Sequence, residues 1–304
     1  MQYLGFEYFL NATQRVYWIY ILSALLIALI YTRVYPETKT YFSKSVLWHT
    51  SAQMDYLYFI VISAIKIGVI FPLILSSKDV ALQTTFFMQK QFGFLHLDTA
   101  QIGVIATYTI SIFLINDFTR YWLHRWMHES TLLWKFHRVH HSAEVLNPLT
   151  FYRVHPIENI LFGLRYALSV GFVTGVFIYL FGASIGVVEI LGVNVITFLF
   201  GLAGSNLRHS HIPLRYGVFE KLIISPFLHQ LHHAKKSINT NYGSVLSVWD
   251  QIFKTYYVTQ SNSKLDFGAD IKHTTVLEML LEPLKTIMKE INLKKGTYNE
   301  KNIA

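Results

Sequence analysis

Five of the chain's 14 histidines fall between positions 124 and 141, and their spacing is that of metal ligands. His124 and His128 form an HxxxH pair, and His137, His140 and His141 form HxxHH. A second HxxHH follows at His229, His232 and His233, preceded by His209 and His211. Neutral imidazole is the commonest metal ligand near neutral pH. On a helix, residues four apart share a face, so His124 and His128 can reach one ion. In HxxHH the first histidine shares a face with each of the last two, while those two point in different directions. They can serve two ions, or one ion and its outer partner. The eight motif histidines, with His209 or His211, exceed what one ion with an open position needs. Two ions, at about four nitrogens each, fit better. Imidazole suits iron, zinc, copper and nickel, so ligand type alone does not select the metal.

Other residues near the motifs extend this list. His155, in the run Arg153-Val154-His155-Pro156-Ile157-Glu158, and His211 lie outside the repeated motifs and stand as additional ligand candidates. Asp117 lies about two helical turns before His124 on roughly the same face, placed to orient a ligand imidazole. Glu129, beside His128, reads as a ligand, a proton shuttle or a solvated charge. His49, His96 and His273 stand alone and read as structural. Asn241-Tyr242-Gly243 reads either as a cover for the metal site or, more simply, as a turn with packing.

The elements that must position these residues are membrane helices. The 304 residues are 52% hydrophobic and 14% charged, well below the ~25% charge of soluble domains. The net charge of +8 in so apolar a chain suits anionic lipid headgroups; no nucleic-acid motif occurs. The absence of cysteine excludes disulfides, thiolate-ligated haem and Cys-ligated iron–sulfur clusters. Apolar runs predict spans at 16–31, 56–76, 102–118, 159–181 and 184–203, the last two as a helical hairpin across Gly182 that either crosses fully or re-enters partway. The first run lacks a cleavage site and reads as a retained span. Lys66 and Arg165 fall inside spans and must snorkel or face protein. Basic residues in the 32–55, 117–158 and post-203 segments place the histidines and the C-terminus on the cytoplasmic side. The expected fold is all-α: a multi-pass integral membrane protein of about four to five transmembrane helices in hairpins, with a cytoplasmic helical His-rich cap. A bacterial inner membrane or the endoplasmic reticulum would suit it. The organisation reads as an N-terminal membrane region, 1–115, a catalytic domain, 116–260, containing the hairpin, and an amphipathic tail, 261–304.

The run from Asp117 to Tyr257 resembles the fatty acid hydroxylase/sterol desaturase superfamily. The resemblance rests on Asp117-FTRYWLHRWMH-Glu129, Trp134-KFHRVHH-Ser142, Asn147-PLTFYRVHPI-Glu158, Leu207-RHS-His211, Pro226-FLHQLHH-Ala234 and Asn241-YGSVLSVWDQIFKTY-Tyr257. It implies a multi-pass enzyme with a His-ligated di-iron centre that uses O2 to hydroxylate or desaturate lipid C–H bonds. By motif, it implies metal binding by His124, His128, His137, His140, His141, His229, His232 and His233, with His209 in the motif written HSN. His211 stands where Asn is usual, and Lys254 replaces the Gly of a WDxxFGT close. Iron is the implied metal, with zinc an alternative.

No dinucleotide fingerprint or cytochrome b5-like haem motif occurs. Electrons are expected from a separate donor, a cytochrome b5 or ferredoxin-type system, or from a pterin. The substrate is expected to be a membrane lipid: acyl chain, sterol or ether lipid. Competing readings are a zinc-dependent lipid hydrolase, a metal-binding or transport protein, and a bis-His haem protein. Zinc hydrolase sites use about three protein ligands, transport would place ligands within the spans, and adjacent histidine pairs suit one axial ligand per helix poorly.

Overall fold

The computed structural model describes residues 6–73, 75–183, 185–259, 265–269, 271 and 273–301. Helix α1 (Trp18–Val34) is followed by α2 (Thr50–Ile65), which runs on through a π-helical stretch, Lys66–Ile70. Then come α3 (Ser77–Phe92), α4 (Gln101–Glu129), α5 (Thr131–His141) and α6 (Pro156–Phe181). A short hairpin, β1 (Glu189–Ile190) and β2 (Val193–Asn194), leads into α7 (Val195–Leu202). Helices α8 (Pro226–His233) and α9 (Val276–Lys301) complete the fold.

Three stretches are long and apolar enough to cross a membrane: 50–70, 101–129 and 156–181. The 184–203 run, expected as the second arm of a helical hairpin that crosses or re-enters, is not one continuous helix over its described residues. Its described residues make the β-hairpin, with Glu189 opposite Asn194, and an eight-residue helix. Leu191 and Gly192 turn the hairpin with φ of 51° and 73°, the doubly left-handed conformation that matches strand twist. The 16–31 run forms α1, an apolar helix of 17 residues, at the short end of the roughly 17–25 a span takes.

The stretch 77–101, between two of the expected spans, is mostly helix α3, packed along α6. Contact is close because α6 carries glycines at 171 and 175, one turn apart. A Cβ at Gly175 would lie 2.5 Å from Thr84 Cβ and 2.6 Å from the Ala81 carbonyl. Thr85 Oγ1 also donates to the Gly175 carbonyl at 3.0 Å.

Local chemistry ends the helices where the site requires it. Ser130 closes α4 and caps α5, accepting from Leu133 N at 3.3 Å. Ser225 and Pro226 start α8, with Ser225 Oγ accepting from Leu228 N at 3.2 Å. The loop 147–153 is tied to α2 by buried Asp55, which accepts from Arg153 Nε at 2.5 Å, Asn147 Nδ2 at 2.7 Å and Thr150 Oγ1 at 2.6 Å. Helix α9 packs Met279 against Val139 of α5 and pairs Glu282 with Arg138.

Candidate metal centre

Helix α4 continues past its apolar half and brings His124 and His128 to α5, which follows after one residue. These elements meet α8 and the turn Ser205–His209. Nine of the candidate ligands gather in two groups. His124, His128, His137, His141 and His232 form one, and His140, His209, His229 and His233 the other. Within each group, one ring nitrogen per residue lies within 4.8 Å of all the others. The two HxxHH motifs are shared crosswise: His140 and His141 part company, as do His232 and His233. The groups adjoin, with the His141 and His233 rings stacked at 4.4 Å.

The ring nitrogens are spaced as ligands are. His209 Nε2 lies 3.2 Å from His229 Nε2, 3.2 Å from His233 Nε2 and 3.4 Å from His140 Nε2. His229 and His233 Nε2 are 3.2 Å apart, as are His137 and His141 Nε2. Imidazoles about 2.0–2.1 Å from a common ion stand roughly 2.9–3.4 Å from one another. Three nitrogens in one triangle cannot all be satisfied by N–H···N bonds. A shared cation satisfies them together.

The other ring nitrogens set the tautomers. Nδ1–H donates to the Tyr242 carbonyl from His124 at 2.8 Å, and to the Thr240 carbonyl from His232 at 2.7 Å. His137 Nδ1 donates to Glu158 Oε1 at 2.9 Å, and His128 Nδ1 to Asn239 Oδ1 at 3.3 Å. A carbonyl or carboxylate only accepts, so Nε2 of His124, His137 and His232 carries the lone pair. Nε2 of His128 and His232 is buried with no hydrogen-bond partner among the described residues, a loss of ~1–3 kcal/mol per group unless an ion fills the place. Burial holds His137 and His140 down to about 3, the latter also through the charge of His137. Burial also depresses His141, His209, His229, His232 and His233 well below the usual imidazole range. Both groups are therefore neutral donor sets at pH 7, and they fit a metal.

Several supporting residues were not singled out in the sequence. Glu158, the carboxylate on His137, sits in the first turn of α6, and an acid in the first turn of an apolar span was its signal. The 239–242 loop supplies three outer partners, and Asp250 holds it by accepting from the backbone N–H of Tyr242 at 2.7 Å and of Gly243 at 2.9 Å. Burial pushes Asp250 up to about 6, which leaves it ionised at pH 7.

Asp117 and Glu129 are engaged elsewhere than the expectation of catalytic roles required. Asp117 accepts from Val245 N, Leu246 N and Trp249 Nε1, each at 3.0 Å, and so pins the following loop to α4. Glu129 is half exposed and pairs with Arg125 at 2.7 Å. His155 and His211 join neither group. His155 caps α6 through Ile157 N and donates from Nε2 to the Leu280 carbonyl at 3.0 Å. His211 accepts from Leu146 N at 3.2 Å and lies against Tyr41. Lys254 has φ of 59°, a left-handed position natural to glycine.

Both groups open on one cavity of about 610 Å³, which His124, His137, His140, His209, His229 and Glu158 help to line.

Residues 109–255 match the fatty acid hydroxylase family. The chain is similar to an ornithine lipid hydroxylase of Rhizobium tropici, 32% identical over 157 residues, 51% of this chain and 43% of that protein. An alkylglycerol monooxygenase of Danio rerio is 27% identical over 186 residues, 60% of this chain and 37% of the relative. A very-long-chain aldehyde decarbonylase of Oryza sativa is 29% identical over 151 residues, 46% and 21% of the two chains. The match thus spans under half the length of each of these relatives. No solved structure matches the chain.

Proposed function

We propose that the protein is an O2-dependent lipid oxidoreductase in which the two histidine groups hold two iron ions. The observation that carries this reading is the pair of buried, neutral imidazole groups, with Nε2 atoms 3.2–3.4 Å apart, opening on a shared cavity. A family that includes lipid hydroxylases and monooxygenases supports it. Hydroxylation balances as R–H + O2 + 2 e⁻ + 2 H⁺ → R–OH + H2O; desaturation removes a second hydrogen instead. Bound iron would supply the one-electron redox chemistry and O2 activation that no side chain here provides.

The chain's own residues do the rest. His124, His128, His137, His141 and His232 would hold one ion, and His140, His209, His229 and His233 the other. The Tyr242 and Thr240 carbonyls and Glu158 fix the rings with Nε2 inward. Apolar Ile62, Ile70, Phe71 and Phe162 line the cavity, where they exclude water and receive a lipid chain. Catalysis on the cytoplasmic face, with a separate electron donor, belongs to this reading.

The test is to purify the protein in nanodiscs, count metals, record Mössbauer spectra after ⁵⁷Fe loading, and follow O2 uptake with reductant and host lipid. Two irons per chain and lipid-dependent O2 uptake are expected. A zinc-only protein that hydrolyses lipid anaerobically overturns the proposal.

A further inference from the structure

The cavity beside the histidines carries an unbalanced charge. Arg15, Lys66, Arg120, Arg165 and Arg208 line it against a single carboxylate, Glu158, which is bonded to His137. Lys66, Arg120 and Arg165 come from three different apolar stretches, 50–70, 101–129 and 156–181. Cations are expensive in such segments and mark ligand paths when they face the protein interior. The sequence left open whether Lys66 and Arg165 snorkel or face protein; both face this cavity.

None of the five forms an ion pair among the described residues. Lys66 sits at the start of the π-helical stretch, its Nζ 5.6 Å from the Tyr8 and Phe71 rings, with no hydrogen bond among the described residues. The Arg120 guanidinium lies 5.1 Å over Phe162, and it too has no hydrogen bond there. Arg165 Nη1 is anchored to α4, donating to the Asn116 carbonyl at 2.9 Å and Thr119 Oγ1 at 2.9 Å. Its Nε and the Nη1 of Arg15 are buried with no partner among the described residues. Arg208 donates from Nε and Nη1 to the Ser205 and Ser244 carbonyls. Asp117 acts electrostatically on Arg120 and Arg165 while its oxygens accept from the 245–249 loop, so it offsets part of this charge. Neutral imidazoles bring no negative charge to offset an ion they hold. Five cations against Glu158 and the nearby Asp117 leave an excess of positive charge that a ligand entering the cavity can offset.

We infer that the cavity takes a single-chain or chain-bearing amphiphile with an anionic headgroup, carboxylate or phosphate, held by Lys66, Arg15, Arg120 and Arg165 beside the histidine groups. This names the substrate class for the oxidoreductase reading and rests on it. Charge-assisted hydrogen bonds from guanidinium and ammonium groups recognise either headgroup.

The test uses the full-length, iron-loaded protein in nonionic detergent, with oleate, oleyl phosphate and oleyl alcohol as probes of equal chain length. Binding is read by native mass spectrometry and turnover by O2 uptake. At least one anionic probe is expected to bind roughly tenfold or more tightly than the alcohol, the effect of one charge-assisted hydrogen bond. Preference for oleate or for oleyl phosphate decides between carboxylate and phosphate. Lys66→Met and Arg165→Gln should each shrink the preference with iron content unchanged, and Lys66→Arg should restore it. Equal binding of all three probes by the wild type overturns the inference without any variant having to fold. So does a preference that survives both substitutions. Oxidation of the neutral probe without anionic preference would leave the oxygenase reading standing and remove the substrate class. Anionic preference in a protein that never consumes O2 would do the reverse.

Discussion

Glu158→Gln isolates the contribution of one outer partner. Glu158 Oε1 accepts from His137 Nδ1 at 2.9 Å, and both side chains are 3% exposed. Glutamine keeps the shape and an accepting oxygen but removes the charge that makes the imidazole more basic. Losing such a partner weakens metal binding about 10–100-fold. Because the amide still accepts, the low end is expected: roughly tenfold, or about 1.4 kcal/mol. The effect should fall on one ion alone. His137 belongs to the five-histidine group, while no member of the four-histidine group bonds to Glu158 among the described residues. The assay is a chelator titration of iron-loaded protein, with iron counted per chain. One ion should leave at about tenfold lower chelator than in the wild type, and the second at the wild-type concentration. Release of both ions at wild-type chelator, or an equal shift of both, would refute the assignment of Glu158 to one group.

Four further outcomes can be measured. His209→Ala should lower metal content, whereas His211→Asn should leave it unchanged because His211 joins neither group; equal loss in both variants would contradict the grouping. Gly175→Leu should force α3 from α6, since even a Cβ meets Thr84 Cβ at 2.5 Å, and lower stability by roughly 1–3 kcal/mol; Gly103→Ala, with nothing within 4 Å, is the control, and equal melting temperatures for the two would count against the close contact. For the metal-free protein, burial holds His137 and His140 down to about 3 against 6.5 when unfolded. The unfolded chain therefore binds more protons between those values, and stability should fall as pH drops through 6.5; a flat or rising denaturation midpoint would contradict this. Lys254→Gly should raise stability by up to ~1–2 kcal/mol by relieving a left-handed φ of 59°, and an unchanged melting temperature would show that no strain is held there.

Much of the site was legible because helical periodicity is local. HxxxH and HxxHH specify which imidazoles share a face, and the divergence of His140 from His141 and of His232 from His233 follows from the turn per residue. His155, a ligand candidate by sequence, instead caps α6, because its imidazole meets the backbone N–H of Ile157 and not the other histidines. Hydropathy served less well. It read 184–203 as one arm of a helical hairpin, because apolar content alone does not separate a long helix from a short β-hairpin and helix. It missed α3, whose polar sequence owes its place to two glycines on α6.

By itself, then, the sequence determined the donor chemistry: many imidazoles, no thiolates, and two faces per motif on an apolar chain. Docking of the helices sets which histidines gather in each group and which nitrogen each turns inward. His124 takes its tautomer from the carbonyl of Tyr242, 118 residues away, and His137 from a carboxylate 21 residues on in another helix. Such pairings depend on how helices dock, which long-range packing sets and no short-period pattern encodes. The gathering of Lys66, Arg120 and Arg165 around one cavity has the same origin. Each is a lone charge in an apolar run, and their common purpose emerges only when the three helices come together.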